Sequence, residues 1–211
     1  MNLSKGDILS LLAEGGEELF ARADAVRRRE KGEFVEVRAL LEFSNHCRRL
    51  CRYCGLNAEN RKLPRFRLAP SEIVSLSQEA ARAGYRTVVL QSGEDRSYSP
   101  EAIGEMVHKI KKSGCAVTLS CGEWPREVYA HWRACGADRY LLKHETADPA
   151  LYRALHPDST LSARLRCLRD LKELGYETGG GFMVGLPGET PETVADNLLL
   201  LHTIGCDMAG I

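Results

Sequence analysis

The feature that most constrains this fold is a unit that repeats from Gly32 to the last residue: an apolar strand, then an amphipathic helix closed by glycine. The predicted strands are 35–43, 87–91, 116–120, 139–144, 178–184 and 207–211. The helices between them end at Gly84, Gly114, Gly136, Gly175 and Gly205, where a left-handed residue is expected. Strict alternation of strand and helix predicts one parallel sheet with right-handed crossovers.

A closed parallel barrel of this type has eight strands, and the repeat supplies six. The sixth strand is the last segment of the sequence and has no covering helix after it. We therefore expect an α/β fold, a parallel (βα) TIM-type barrel truncated before strands 7 and 8. Helical spacing of apolar residues before Gly32 predicts a separate N-terminal helical segment, residues 1–32, ahead of a barrel domain over residues 33–211.

Composition narrows the class of protein. Lysine plus arginine equals aspartate plus glutamate, 29 each, so no global field would attract nucleic acid. The N-terminus lacks the basic start and apolar run of a signal peptide, and no stretch approaches the roughly 18 apolar residues of a spanning helix. We expect a cytoplasmic protein with reduced thiols that binds neither nucleic acid nor membrane.

Three cysteines, Cys47, Cys51 and Cys54, lie within one short stretch with the spacing C-x3-C-x2-C. Thiolates this close together select zinc, copper(I) or an iron–sulfur cluster. No second CxxC or HxxxH pair follows to complete a structural zinc site. Three thiolates suit a 4Fe–4S cluster with one open iron, because full ligation takes four cysteines. A zinc knuckle and a set of reactive thiols are the alternatives.

Tyr53, directly before the last cysteine, completes a pattern that resembles the signature of the radical S-adenosylmethionine (SAM) superfamily. Segments 42–45, 90–95, 122–127 and 138–146 resemble the HydE group of FeFe-hydrogenase maturases, which is related to biotin synthase. The resemblance implies a 4Fe–4S cluster on Cys47, Cys51 and Cys54, with SAM chelating the fourth iron. One electron from the cluster would cleave SAM to methionine and a 5′-deoxyadenosyl radical.

The same resemblance implies partners and SAM contacts. The partners would be a small-molecule or organometallic substrate, an electron donor such as ferredoxin or flavodoxin, and other hydrogenase maturases. The SAM contacts would be Tyr53, Ser92, Glu94, Glu145 and Arg164. Taken alone, segment 92–95 is also compatible with an ordinary polar turn, and Arg164 with a solvated helix residue.

The fourth strand predicts a polar cavity. Period-two alternation puts Arg139, Lys143 and Glu145 on one face, and buried charges require partners or a ligand. An internal salt bridge is the alternative for Arg139, and hydroxyls merely tolerated in a strand are the alternative for Thr118 and Ser120. Lys143 stands where the family is expected to carry arginine, so it lacks the bidentate fork. The candidate substrate contacts are Gln91, Thr118, Ser120, Arg139 and Lys143.

Two rival functions follow from the same residues. The first is another biotin synthase-like enzyme, such as a methylornithine synthase. The second is a non-catalytic iron–sulfur or zinc-binding fragment, which predicts metal binding without cleavage of SAM. The resemblance of segments 122–127 and 144–146 favours a HydE-like enzyme of hydrogenase maturation over the first of these rivals.

Overall fold

A computed structural model of the chain describes residues 3–211, which form one six-stranded parallel sheet in the order β1-β2-β3-β4-β5-β6. The strands are β1 Ala39–Ser44, β2 Thr87–Ser92, β3 Ala116–Ser120, β4 Arg139–Leu141, β5 Glu177–Gly181 and β6 Met208–Gly210. The helices are α1 Lys5–Glu14, α2 Gly16–Lys31, α3 Pro70–Arg82, α4 Pro100–Lys111, α5 Arg126–Ala134, α6 Pro149–Leu155, α7 Leu161–Glu173 and α8 Pro191–Ile204. This confirms the predicted partial TIM-type barrel.

The five glycines predicted to end helices all adopt positive φ. Ser99 and Thr190 cap α4 and α8 through their side chains, as expected for hydroxyls in front of Pro100 and Pro191. Several predicted elements differ, and β4 and β5 end at Leu141 and Gly181 rather than at the predicted residues 144 and 184. Strand β1 begins at Ala39 rather than at residue 35, because its pairing with β2 begins there, with Ala39 opposite Val88. A second helix, α6, precedes α7, and the Asp148 side chain caps it.

The outer face of the sheet is covered by helices and holds the core. Val88, Leu90, Val117 and Leu119 alternate along β2 and β3 and are at most 1% exposed. An aromatic cluster continues this core between α5, β4 and β5: Tyr129, Trp132, Tyr140 and Tyr176. Aromatic residues bury about 150–250 Å² each, so this cluster anchors α5 and β4 firmly.

The inner face carries the side chains that alternate with this core. Gln91 and Ser120 are only partly buried, and Leu40 is 58% exposed. Because every strand is parallel, the carboxyl ends of the strands meet at one edge of the sheet, where barrel enzymes react. The loops that follow β1 to β4 all lie at this edge.

The two N-terminal helices lie outside the sheet. Helix α1 packs on α8, buries Ile8 and places Lys5 Nζ 2.7 Å from the Asp196 carboxylate. The division at residues 32 and 33 stays a prediction, and residues 1–2 of the predicted segment lie outside the described residues. Across residues 3–211, no helix has both the length and the apolar character needed to cross a bilayer.

Candidate functional site

The cysteine loop follows β1 at the carboxyl edge of the sheet. Cys47, Cys51 and Cys54 are free thiols, each partly buried. The backbone N–H groups of Arg49 and Glu94 lie 3.4 Å from the Cys47 sulfur and donate to it. Burial raises the pKa of Cys51 to about 11. Thiols must lose their protons to bind a metal, so metal binding at this loop releases protons.

The turn after β2 supports the cysteine loop through a close approach at Gly93. A Cβ atom at Gly93 would lie 2.3 Å from the His46 carbonyl oxygen and 2.7 Å from Cys47 Cβ. Both contacts are shorter than van der Waals separation, and one of them is with backbone. Only glycine therefore lets the loop that carries Cys47 rest on this turn.

The donor set fits a cluster better than a single ion. Within residues 3–211, no three His, Cys, Asp or Glu side chains converge closely enough to hold one metal ion. A structural zinc needs four ligands within about 2.0–2.3 Å of one centre. A 4Fe–4S cluster takes each cysteine on a different iron, so its thiols stand apart. Three thiols that do not converge on one point, with two N–H donors aimed at one sulfur, are compatible with that requirement.

A chain of alternating charges runs behind the loop. Arg49 lies 2.9 Å from the Glu94 carboxylate and 2.6 Å from the Glu123 carboxylate. Glu123 also accepts from Arg164 Nε at 2.7 Å, and Arg164 donates its next nitrogen to the Lys143 carbonyl at 2.9 Å. The side chains of Glu94, Arg49, Glu123 and Arg164 are all at most 13% exposed. This network joins the cysteine loop to α7 and to the end of β4.

Two predicted SAM contacts are held by the protein itself. One Glu94 oxygen accepts from the Glu123 backbone N–H at 2.8 Å, and the other lies beside Arg48 and Arg49. The Ser92 hydroxyl donates to the Gly93 carbonyl at 2.7 Å. In this structure Glu94 braces the cysteine loop, and its contact with SAM stays a prediction.

Glu145 is held in a strained turn beyond β4. Its φ is 68°, and it is the one non-glycine residue of positive φ in the described chain. Its backbone N–H donates to Gly181 and its carbonyl accepts from Met183, so neighbouring strand β5 fixes the turn. The residue is 8% exposed, and its Oε2 atom has no hydrogen-bond partner. A strained, buried carboxylate with a free oxygen is the arrangement expected of a ligand contact.

Replacing Glu145 by glutamine is expected to stabilise the protein at neutral pH. Burial raises the pKa of Glu145, although Lys143 and Arg164 partly oppose the shift. The folded state therefore binds this proton more tightly than the unfolded chain, and the fold loses stability as pH rises above 4.5, the ordinary pKa. We expect Glu145→Gln to raise Tm by about 2–4 °C at pH 8, roughly the shift for 1 kcal/mol.

That gain should shrink to nothing as the pH falls below 4.5, where the carboxyl is protonated in both states. Thermal unfolding followed by circular dichroism at several pH values measures the difference. Glu59→Gln, on an exposed loop, is the matched control. An unchanged or lower Tm for Glu145→Gln at pH 8 would contradict the prediction.

Tyr53 joins the cysteine loop to the segment after α6. Its hydroxyl lies 2.9 Å from His156 Nε2, while His156 Nδ1 lies 3.2 Å from the Tyr152 carbonyl. The carbonyl fixes the proton on Nδ1, so Nε2 accepts from Tyr53. Burial lowers the pKa of His156 to about 4, which keeps the ring neutral and this tautomer in place.

Four predicted substrate contacts lie on the inner face. Gln91 and Ser120 pair in register near the carboxyl edge, and Lys143 Nζ lies 3.8 Å from Glu145 Oε2. Thr118 lies deeper, buried, with a hydroxyl that has no hydrogen-bond partner. Their contact with a substrate stays a prediction.

Arg139 requires a correction. It shares the inner face, but it is the first residue of β4 and lies at the amino end of the sheet, away from the cysteine loop. Its guanidinium pairs with Glu177 and donates to the Thr87 hydroxyl at 3.2 Å, and both partners begin strands. The internal salt bridge is therefore the observed arrangement. The alternation of side chains along the strand predicts which face of the sheet Arg139 occupies. How far Arg139 lies from the carboxyl edge depends on where β4 starts, which the alternation does not show.

Three residues of the site were not predicted. Arg49 and Glu123 form the centre of the charge network, and His156 holds Tyr53. Glu123 lies in the segment 122–127 that resembles the HydE group, which was the available signal. Arg49 and His156 carry no local pattern, because their partners come from loops that are distant in sequence.

Comparison with known proteins identifies the family. The model of the Radical SAM superfamily matches residues 41–201. The FeFe hydrogenase maturase subunit HydE of Thermotoga maritima is 55% identical over 195 residues, which is 92% of this chain and 56% of that protein. The 3-methylornithine synthase of Methanosarcina barkeri is 30% identical over 91% of this chain and 57% of that protein. The chain thus spans little more than half the length of these relatives.

Solved structures agree with the sequence matches. A crystal structure of methylornithine synthase superposes with a TM-score of 0.91 at 29% identity, covering 99% of this chain and 64% of that one. The matched region contains the cysteine loop, the charge network and Glu145. The chain therefore belongs to the Radical SAM superfamily.

Proposed function

We propose that this chain is a radical SAM enzyme of FeFe-hydrogenase maturation that cleaves SAM reductively at a 4Fe–4S cluster. One observation carries the proposal: the cysteine loop, Glu145 and Arg164 meet at the carboxyl edge of the sheet. Glu123 bridges Arg49 of that loop and Arg164 at 2.6 and 2.7 Å, and Arg164 donates to the carbonyl of Lys143, two residues before Glu145. The 55% identity to a HydE maturase supports the assignment to this pathway.

Each residue has a role in the proposal. Cys47, Cys51 and Cys54 would hold the cluster, which when bound supplies the electron that breaks a carbon–sulfur bond of SAM. Arg164 has Nε and one terminal nitrogen occupied by protein, which leaves its other terminal nitrogen to a SAM carboxylate. Glu145 offers its free oxygen to a donor group of SAM.

The protein would also orient the reactants and exclude water. Tyr53 would orient the reactants from the loop side of the site, where His156 fixes its hydroxyl. The inner face beneath it, with Gln91, Ser120 and Lys143, would receive a small organometallic or organic substrate. The other maturases that supply and accept this substrate are proposed partners on the same grounds.

The test is anaerobic reconstitution with iron and sulfide, followed by dithionite and SAM, with 5′-deoxyadenosine measured by chromatography. Deoxyadenosine that depends on the cluster would support the proposal. A reconstituted cluster that yields none would contradict SAM cleavage by this chain. Stoichiometric zinc without a cluster would support the non-catalytic alternative instead.

A methylornithine synthase activity is the second candidate, favoured by the TM-score of 0.91 and the 30% identical relative. The two functions predict different products. Incubation of the reduced enzyme with SAM and a mixture of free amino acids, followed by mass spectrometry of the amino acids, distinguishes them. A methylornithine product would replace hydrogenase maturation as the function.

A further inference from the structure

A surface rich in arginine adjoins the cysteine loop on the outside of the sheet. It surrounds an open pocket of about 830 Å³ between the start of α5 and the middle of α7. Trp124 lies within the pocket. Five arginines line it: Arg48, Arg49, Arg96, Arg126 and Arg166. We call these five residues and Trp124 the arginine surface.

The arginine surface reaches one of the predicted cluster ligands. A second pocket, of about 400 Å³, is lined by Cys47 together with Arg48 and Arg96, which both pockets share. The Arg49 backbone N–H donates to the Cys47 sulfur at 3.4 Å. A partner bound to the arginine surface would therefore lie against the loop that carries the cluster.

The charge of the arginine surface is local and faces outwards. The whole chain is neutral, with 29 basic and 29 acidic residues. The buried carboxylates of Glu94 and Glu123 compensate part of the arginine charge from beneath the surface. Four of the arginines are exposed: Arg48, Arg96, Arg126 and Arg166. Asp170, in the pocket, and Glu173, beside it, both pair with Arg126, at 2.8 and 2.6 Å. Within residues 3–211, Arg166 has no carboxylate at ion-pair distance, so its charge is uncompensated.

The composition of this surface favours a protein partner. Every cation in the pocket is arginine, and none is lysine. Arginine and tryptophan are enriched at protein interfaces and dominate binding energies there, whereas lysine is depleted. Arg96 stacks on Trp124 with its central carbon 3.4 Å from the ring centroid, so the pair is ordered before a partner arrives.

We propose that the arginine surface is the docking site for an acidic one-electron carrier protein that reduces the cluster. The proposal rests on the proposed function, which consumes one electron for each SAM cleaved. In the docked complex the carrier loses one electron and the cluster gains it; no bond forms and no proton moves. Electrostatic complementarity of this kind chiefly raises the association rate and makes it depend on salt.

The test uses the reconstituted chain and a purified acidic two-cluster ferredoxin. The variant Arg126→Gln/Arg166→Glu changes two arginines that lie outside the proposed cluster and SAM contacts. Arg82→Gln/Arg86→Glu, exposed at the opposite end of the sheet, is the matched control. Stopped-flow absorbance follows reduction of the cluster by reduced ferredoxin, and calorimetry with oxidised ferredoxin measures binding without turnover.

We expect the Arg126/Arg166 variant to lose about tenfold in the rate constant for ferredoxin at low salt, and to bind ferredoxin more weakly. Its rate should depend less steeply on salt. Reduction by dithionite should stay within twofold of wild type, which shows that the variant is folded and the cluster intact. The control variant should match wild type in every assay.

Several results would overturn the proposal. These are equal rates and affinities for the two variants, absence of ferredoxin binding to wild type at low salt, or tight binding of pyrophosphate in the pocket, which would indicate a small-anion site. A failure of the proposed function is distinct from these. It appears as missing deoxyadenosine with dithionite, while ferredoxin binding and cluster reduction still report on docking.

Discussion

Replacing Cys51 with alanine is expected to abolish both the cluster and the cleavage of SAM. Cys51 lies between the other two thiols in sequence, and the Arg164 charge acts on it. Two cysteines remain, one fewer than the site requires with one iron left open. Reconstituted wild type should carry about four irons per chain, and the variant should carry only adventitious iron. Deoxyadenosine should fall to the level of the cluster-free protein.

The matched control is Cys135→Ala, because Cys135 is a partly exposed free thiol at the end of α5, away from the loop. Iron and sulfide analysis, together with the absorbance of the reconstituted protein near 400 nm, measures the outcome. The control should keep full iron content. A Cys51→Ala protein that retained a complete cluster and formed deoxyadenosine would disprove the ligand assignment.

Replacing Glu123 with glutamine is expected to give the largest loss of stability. Its carboxylate accepts from Arg49 at 2.6 Å and from Arg164 at 2.7 Å, and all three side chains are at most 13% exposed. Removing one partner of a buried ion pair typically costs about 3–5 kcal/mol, because a charge is left uncompensated. Here the charge that loses its carboxylate is Arg164, whereas Arg49 keeps Glu94. At 2–4 °C per kcal/mol for a domain of this size, Tm should fall by about 6–20 °C.

Glu127→Gln is the control, since Glu127 is exposed on α5 only four residues further along. Thermal unfolding of both variants without a cluster isolates stability from activity. We also expect Glu123→Gln to weaken SAM binding, because Arg164 loses the contact that orients it. If the two variants unfolded within 2 °C of each other, the charge network would not support the fold as we describe.

Much of the fold follows from local sequence. Strand and helix alternation, the glycines at helix ends and the caps at Ser99 and Thr190 each depend on a few neighbouring residues. Strand β4 was harder to predict. Its pairing with β3 stops at Tyr140, and the chain then turns at Glu145, guided by bonds to β5. A continuous strand over 139–144 was therefore too long, because tertiary contacts decide where it ends.

The site divides in the same way. The three cysteines share one loop, so their spacing in the sequence is enough to predict that they lie together. The inner-face residues are predicted by the alternation of side chains along each strand. The charge network depends on three loops and helix α7, which meet only in the folded chain, and this is why sequence reasoning missed Arg49. Glu94 was noticed for its motif, but sequence could not show that Arg48 and Arg49 occupy its carboxylate.

The strained turn at Glu145 has a consequence for laboratory evolution of this protein. A library screened only for survival of heating would favour glycine at this position, which relaxes a φ of 68° and removes a buried carboxylate at once. The variants selected in this way would resist heating better and, on our assignment, would lose the Glu145 contact with SAM. A useful screen for this scaffold must therefore score catalysis and heat resistance together.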